Sequence, residues 1–198
     1  MAEIKSIGLI ELSSVATGYL VEDTMLKAAS VQLLLARTIC SGKFLIAIAG
    51  DVASVTTAIE AGGAVAGPSL IERRQIARVH PSVLQAISQS VEINHKDLRS
   101  IGIIETFSAS SIIDAADVAV KSANVVLLRV HLAMALGGKG FVLMAGDVSS
   151  VQAAVEAGSK AAVTPAGHEP LPAPVSPLGS ATPVRKERTY WVLETSRS

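Results

Sequence analysis

The 198-residue sequence predicts an α/β fold of the α+β kind, built twice in tandem, with each half a mainly antiparallel sheet flanked by helices. Three observations carry this expectation. The first is internal repetition: Ser6-Ile7-Gly8-Leu9-Ile10-Glu11 returns as Ser100-Ile101-Gly102-Ile103-Ile104-Glu105, and Ala49-Gly50-Asp51-Val52 returns as Ala145-Gly146-Asp147-Val148. The second is the order of patterns within each copy, which runs strand, helix, two strands, helix. The third is composition: 49% of residues are hydrophobic but only 3% aromatic, so the core must be packed from Ala, Val, Ile and Leu.

Taken in order, residues 4–12 alternate and are rich in β-formers, which predicts a strand. Residues 14–30 place Leu20, Met25, Leu26 and Ala29 at helical spacing. Two apolar runs, 31–39 and 44–49, are joined by Cys40-Ser41-Gly42, the signature of a hairpin. Asp51 then caps a second helix with Val52, Val55 and Ile59 expected inside and Gly62-Gly63 expected to end it. Residues 70–79, bounded by Pro68 and Pro81, predict a closing edge strand. The second copy repeats the helix with Asp147, Val148, Val151 and Val155 but lacks a strand directly after it. Residues 165–183 instead hold six of the eight prolines, a composition expected to form an extended, flexible insertion. Thr189-Tyr190-Trp191-Val192-Leu193 beyond it is expected to supply the missing strand. The expected domains are 4–93 and 98–198, the second interrupted by the proline-rich insertion at about 165–186.

Charge and cysteine usage narrow the function. Lys plus Arg and Asp plus Glu are balanced at 17 each, so no positive field gathers phosphates, and neither nucleic acid nor a membrane is an expected partner. No apolar run reaches the roughly 20 residues of a membrane span, and Met-Ala-Glu-Ile-Lys-Ser lacks a secretory core, so a cytosolic location is expected. One cysteine, Cys40, excludes an internal disulfide and any multi-thiolate metal site within a single chain.

The repeated motifs Ile-Gly-x-Ile-Glu, Asp23-x-x-x-Lys27-x-Ala29-x-Val31 with its copy Asp117-x-x-x-Lys121-x-Ala123-x-Val125, and the Gly-Asp-Val-x-Ser-Val helix openings resemble the bacterial microcompartment shell proteins. The resemblance covers nearly the whole chain, apart from the proline-rich insertion. It implies a pseudohexameric homotrimer in a shell in the bacterial cytoplasm, with Lys27 and Lys121 at edges where neighbouring shell proteins meet. It also implies that the hairpin tips, residues 38–43 and 134–139, approach the central axis.

Composition alone makes a lone cysteine a small buried hydrophobe. A position beside a three-fold axis changes that expectation, because three Cys40 thiolates would converge and soft thiolates select iron–sulfur clusters, zinc or copper(I). Thr-Ile-Cys-Ser-Gly-Lys, together with Arg-Val-His-Leu-Ala-Met-Ala at 129–135, is similar to a tandem subfamily of propanediol-utilisation compartments in which such a cysteine binds a 4Fe-4S cluster at the pore. The implied site is one 4Fe-4S cluster per trimer, ligated by Cys40 from three chains, with one iron open. Its implied role is electron transfer or cluster transport across the shell, with encapsulated redox enzymes as further partners.

The other candidates are weaker. His80 precedes Pro81, His95 lies in the inter-repeat linker, His168 lies in the proline-rich stretch, and His131 reads as a hydrogen-bonded strand histidine. Gly137-Gly138-Lys139-Gly140 lacks the phosphate-loop pattern and precedes a strand. Glu11 and Glu105 recur too regularly for an asymmetric acid/base pair, and structural hydrogen bonding is expected of them. No catalytic constellation emerges, so a non-enzymatic role is expected. The alternatives are a shell tile with a metabolite pore and a metal-free thiol, or a trimeric nucleotide-binding regulatory protein.

Overall fold

Strand β1 (Ser6–Leu12) is buried along its whole length and lies between β3 (Lys43–Gly50) and β4 (Leu70–Ala77), each antiparallel to it. The computed structural model describes residues 4–40, 42–92, 99–134 and 136–162, with the backbone of Pro183–Arg185 and Tyr190–Glu194. It divides into two units, Met1–Val79 with Met134–Gly138, and His80–Ala133 with Lys139–Ser198.

In the first unit, β2 (Gln32–Ile39) completes a four-stranded sheet of order β2-β3-β1-β4. Helices α1 (Val15–Ala28) and α2 (Val52–Ala66) pack on one face of it. Ile10, Leu12, Ile46 and Ile48 point into that layer against Val21, Met25, Val55 and Ile59, which form the aliphatic core. Close approach depends on Gly8, where a Cβ would lie 2.6 Å from Ile59 and 2.8 Å from Val55. The buried face of α1 is Gly18, Val21 and Met25, whereas Leu20 and Leu26 point outward. Of the four residues at helical spacing, Met25 is buried and Ala29 packs against the core, because the sheet and α2 take up only the side of the helix that carries Gly18, Val21 and Met25.

Asp51 does cap α2, accepting from the Ser54 N–H at 2.9 Å and the Ser54 hydroxyl at 2.6 Å. These bonds hold its carboxyl below the usual value of 3.8. Val55 and Ile59 are buried, but Val52 is exposed. Gly62-Gly63 does not end the helix. It continues to Ala66 and stops at Gly67, whose φ of +51° suits a residue without a side chain. Gly62 is instead a packing site against Met25 and Ile10.

The second unit is a five-stranded sheet of order β6-β7-β5-β9-β8, from β5 (Ser100–Thr106), β6 (Val125–His131), β7 (Gly140–Gly146), β8 (Pro183–Arg185) and β9 (Tyr190–Glu194). The expected closing strand is present: β9 pairs antiparallel with β5, Ile103 opposite Trp191, as β4 pairs with β1. β8 is an additional strand. The proline-rich residues 163–182 lie outside the described residues. Helices α4 (Ala109–Ser122) and α5 (Val148–Ala161) pack together on this sheet. α5 differs from α2 at its start, because Asp147 makes no capping bond and instead pairs with Arg99 at 2.8 Å.

One helix was not expected. α3 (Pro81–Ser88) follows the first copy but packs on β6, with Val83 and Ala86 buried. Its sequence signals were Pro81 at the first helical position and His80 before it, which accepts from the Ser82 N–H. No described helix is long and apolar enough to cross a membrane.

Candidate functional site

The tip of the β2–β3 hairpin carries the chain's only thiol. Ile39 and Lys43 are the last register partners, so the connection is Cys40-Ser41-Gly42. Cys40 is partly buried beside the buried Ile39. Gly42 has φ +71° and open space where a side chain would stand, so the tight return of the chain depends on glycine. Ser41 itself lies outside the described residues.

The base of this hairpin is locked by charge. Lys43 Nζ donates to Glu11 Oε1 at 2.8 Å, which ties β3 to β1 one residue beyond the turn. The second copy repeats the arrangement more loosely, with Lys139 Nζ 3.4 Å from Glu105 Oε1 and 5.6 Å from the Phe107 ring centre. Glu11 and Glu105 therefore act as structural ion-pair partners in two equivalent places.

The matching β6–β7 hairpin is built differently. Its last register pair is His131 opposite Phe141, and the longer connection carries Ala133 at φ +54° with Gly137 and Gly138 also at positive φ. It contains no thiol. His131 stacks on Phe141 with ring centres 5.0 Å apart, and its Nδ1 lies 3.3 Å from Arg129 Nη2. Gly137-Gly138-Lys139 leads into strand β7, so the helix N-terminus that a phosphate loop needs does not follow it.

No three side chains of the His, Cys, Asp and Glu types come together among the described residues. His80 serves as the α3 cap, while His95 and His168 fall outside the described residues. Lys27 pairs with Asp23 at 2.7 Å on an open surface of α1. Its counterpart Lys121 pairs with Asp117 at 2.5 Å, and Asp117 also accepts from the His80 backbone N–H at 2.7 Å.

A second feature escaped the sequence reading: equivalent positions of the two copies differ in burial. Tyr19 is 63% exposed and its counterpart Ile113 is 1% exposed, while Leu33 is 37% exposed and Leu127 is fully buried. Leu20, also exposed, corresponds to Asp114. The available signal was that substitution of an apolar by an acidic residue at the same helical position.

A family model described as "BMC domain" matches residues 6–79 and 100–172. The chain is 46% identical over 159 residues to "Bacterial microcompartment shell protein PduT" of Citrobacter freundii, covering 80% of this chain and 85% of that protein. It is 34% identical over 153 residues to "Carboxysome assembly protein CcmO" of Synechococcus elongatus, which covers 71% of this chain and about half (54%) of that protein. Among solved structures, a crystal structure of a microcompartments protein from Desulfitobacterium hafniense DCB is 44% identical with a TM-score of 0.73, covering 80% of this chain and 87% of the other. A fused permuted hexameric shell protein, MSM0275 from the RMM microcompartment, has a TM-score of 0.59 at 20% identity, covering 79% and 82%, and attests the fold alone.

Proposed function

The chain belongs to the BMC-domain family of bacterial microcompartment shell proteins, and from that membership we propose that it is a shell tile whose trimer carries a 4Fe-4S cluster on its three-fold axis. It is a structural protein of the compartment wall in the bacterial cytoplasm. Its neighbours there are other shell proteins.

The trimer is supported by the difference in burial between the copies. The outer face of α1 and β2 presents Tyr19, Leu20 and Leu33, whereas the counterparts Ile113 and Leu127 on α4 and β6 are buried. A head-to-tail ring closes such an unpartnered face with the next chain, and three duplicated chains make six similar units. Aromatic and aliphatic side chains of this kind lose their water in the core of an interface.

The single observation that carries the cluster is Cys40 at the turn of the β2–β3 hairpin, with no thiol in the equivalent turn of the second copy. Around a three-fold ring this supplies three thiolates, one from each chain. The donor set fits: thiolates are the ligands of iron–sulfur clusters, and no described group within one chain competes as a complete site. Cys40 of each chain would hold one iron, leaving the fourth open to water or an outside ligand. A bound cluster supplies one-electron transfer, and redox enzymes inside the compartment are its natural partners. The chain's own part is to hold the thiolate in place, through the Gly42 turn and the Lys43–Glu11 bond behind it.

Anaerobic purification of wild type and Cys40→Ala, with iron and sulfide measured per trimer and paramagnetic-resonance spectra recorded, tests this. About one cubane per trimer, absent in the variant, is the expected result. Iron-free trimers of both proteins after anaerobic reconstitution would overturn the cluster and leave Cys40 lining a metabolite pore.

A further inference from the structure

The second unit contains a cavity of about 390 Å³ between α3, the residues that follow it, and the β6 edge of the sheet. That volume lies in the range of small-molecule sites. Its two walls differ in chemistry. Val120, Val125, Val126 and Leu127 give an apolar wall from α4 and β6, while Gln85, Ser90 and Glu92 stand at the other side near the end of α3.

The polar wall favours positive charge. Glu92 forms no ion pair among the described residues, and Gln85 and Ser90 add oxygen acceptors beside it. The C-terminal end of α3 lies at this wall, where the Ser90 N–H and the Gln89 N–H both bond the Gln85 carbonyl and the Ser88 hydroxyl bonds those of Leu84 and Gln85. A helix C-terminus is the negative end of the backbone dipole. Lys121, next to Val120 on α4, is paired with Asp117. His80 at the opposite end accepts the Ser82 N–H on Nδ1.

We propose that this cavity binds a primary aliphatic ammonium group, with the charge at Glu92 and the hydrocarbon stem along Val120, Val125 and Val126. The site is independent of Cys40 and of any cluster. The same chemistry is carried by a free alkylamine and by a lysine side chain of another protein.

Calorimetric titration of the intact protein separates these. With n-butylammonium, saturable binding is expected, weakened about tenfold in Glu92→Gln as one charge-assisted hydrogen bond is lost. n-Butanol and pentanoate, with the same butyl stem, should bind more weakly still. Nα-acetyl-lysine methylamide binding more tightly than n-butylammonium assigns a protein lysine as the natural ligand, and the reverse order assigns a free amine. Absence of saturable n-butylammonium binding, equal binding of n-butanol, or an unchanged affinity in Glu92→Gln overturns the proposal. Glu92 is exposed, so the substitution leaves the fold intact.

Discussion

Lys43 Nζ lies 2.8 Å from Glu11 Oε1, and the Glu11 side chain has no exposed surface while Lys43 keeps 23% of its own. Burying a carboxylate in a sheet is costly unless a partner compensates it. Removal of Lys43 leaves Glu11 without this cation. Lys43→Met is expected to lower stability by about 2–4 kcal/mol, below the full range for a buried pair because Lys43 is partly solvated. Lys139→Met should cost less, since Glu105 retains 18% exposure and the separation is 3.4 Å. Urea unfolding of the two variants measures the difference, and equal losses would contradict it.

The α2 cap makes a pH-dependent contribution that α5 lacks. Asp51 titrates lower when folded than its usual 3.8 because Ser54 bonds its charged form. Its contribution is therefore fully present above the unfolded value and is lost as pH falls through the lower, folded value. Asp51→Asn keeps a capping oxygen but does not titrate, so it should remain folded at neutral pH and lose part of the acid dependence. Thermal melts of wild type and variant between about pH 3 and 7 test this. The corresponding Asp147 variant should show no such change through capping, since Asp147 makes no capping bond.

Equivalent helical glycines differ in what surrounds them. A Cβ at Gly62 would meet the side chains of Met25 at 2.6 Å and Ile10 at 2.9 Å, and methionine can move aside. A Cβ at Gly158 would lie 2.7 Å from the backbone oxygen of Ala115, which cannot move without shifting α4. Gly158→Ala is expected to cost about 1–3 kcal/mol through overpacking, and Gly62→Ala less. Chemical denaturation ranks the two.

The unequal burial of the copies predicts unequal effects of a new charge. Tyr19→Asp should leave the chain folded and weaken its association, read as a loss of trimer by light scattering with circular dichroism unchanged. Ile113→Asp buries the same charge in a packed core and should unfold the second unit. A Tyr19→Asp protein that remains a trimer at low micromolar concentration would remove the α1 face from the interface.

Much of the architecture was legible because duplication shows each element twice. Tyr190–Glu194 could be read as a strand across a proline-rich stretch only because Leu70–Ala77 held the same place in the first copy. α3 was missed for the opposite reason. It is short, its signals are Pro81 and His80 alone, and its apolar residues Val83 and Ala86 are explained by a strand distant in sequence. Gly62-Gly63 predicts a helix end because glycine lowers helix propensity, yet tertiary packing against Met25 outweighs that local cost.

Local periodicity and repeated motifs are enough to give the repeated strand and helix order, the Asp51 cap, the position of Cys40 in a hairpin turn and the family to which the chain belongs. Which face of α1 is buried, the match of Glu11 with Lys43, the hold of Asp117 on the start of α3 and the cavity beside β6 emerge with the packed fold. Each of these depends on residues far apart in the chain meeting across a sheet or between a helix and a strand, and no local pattern encodes which of many possible partners will be brought together.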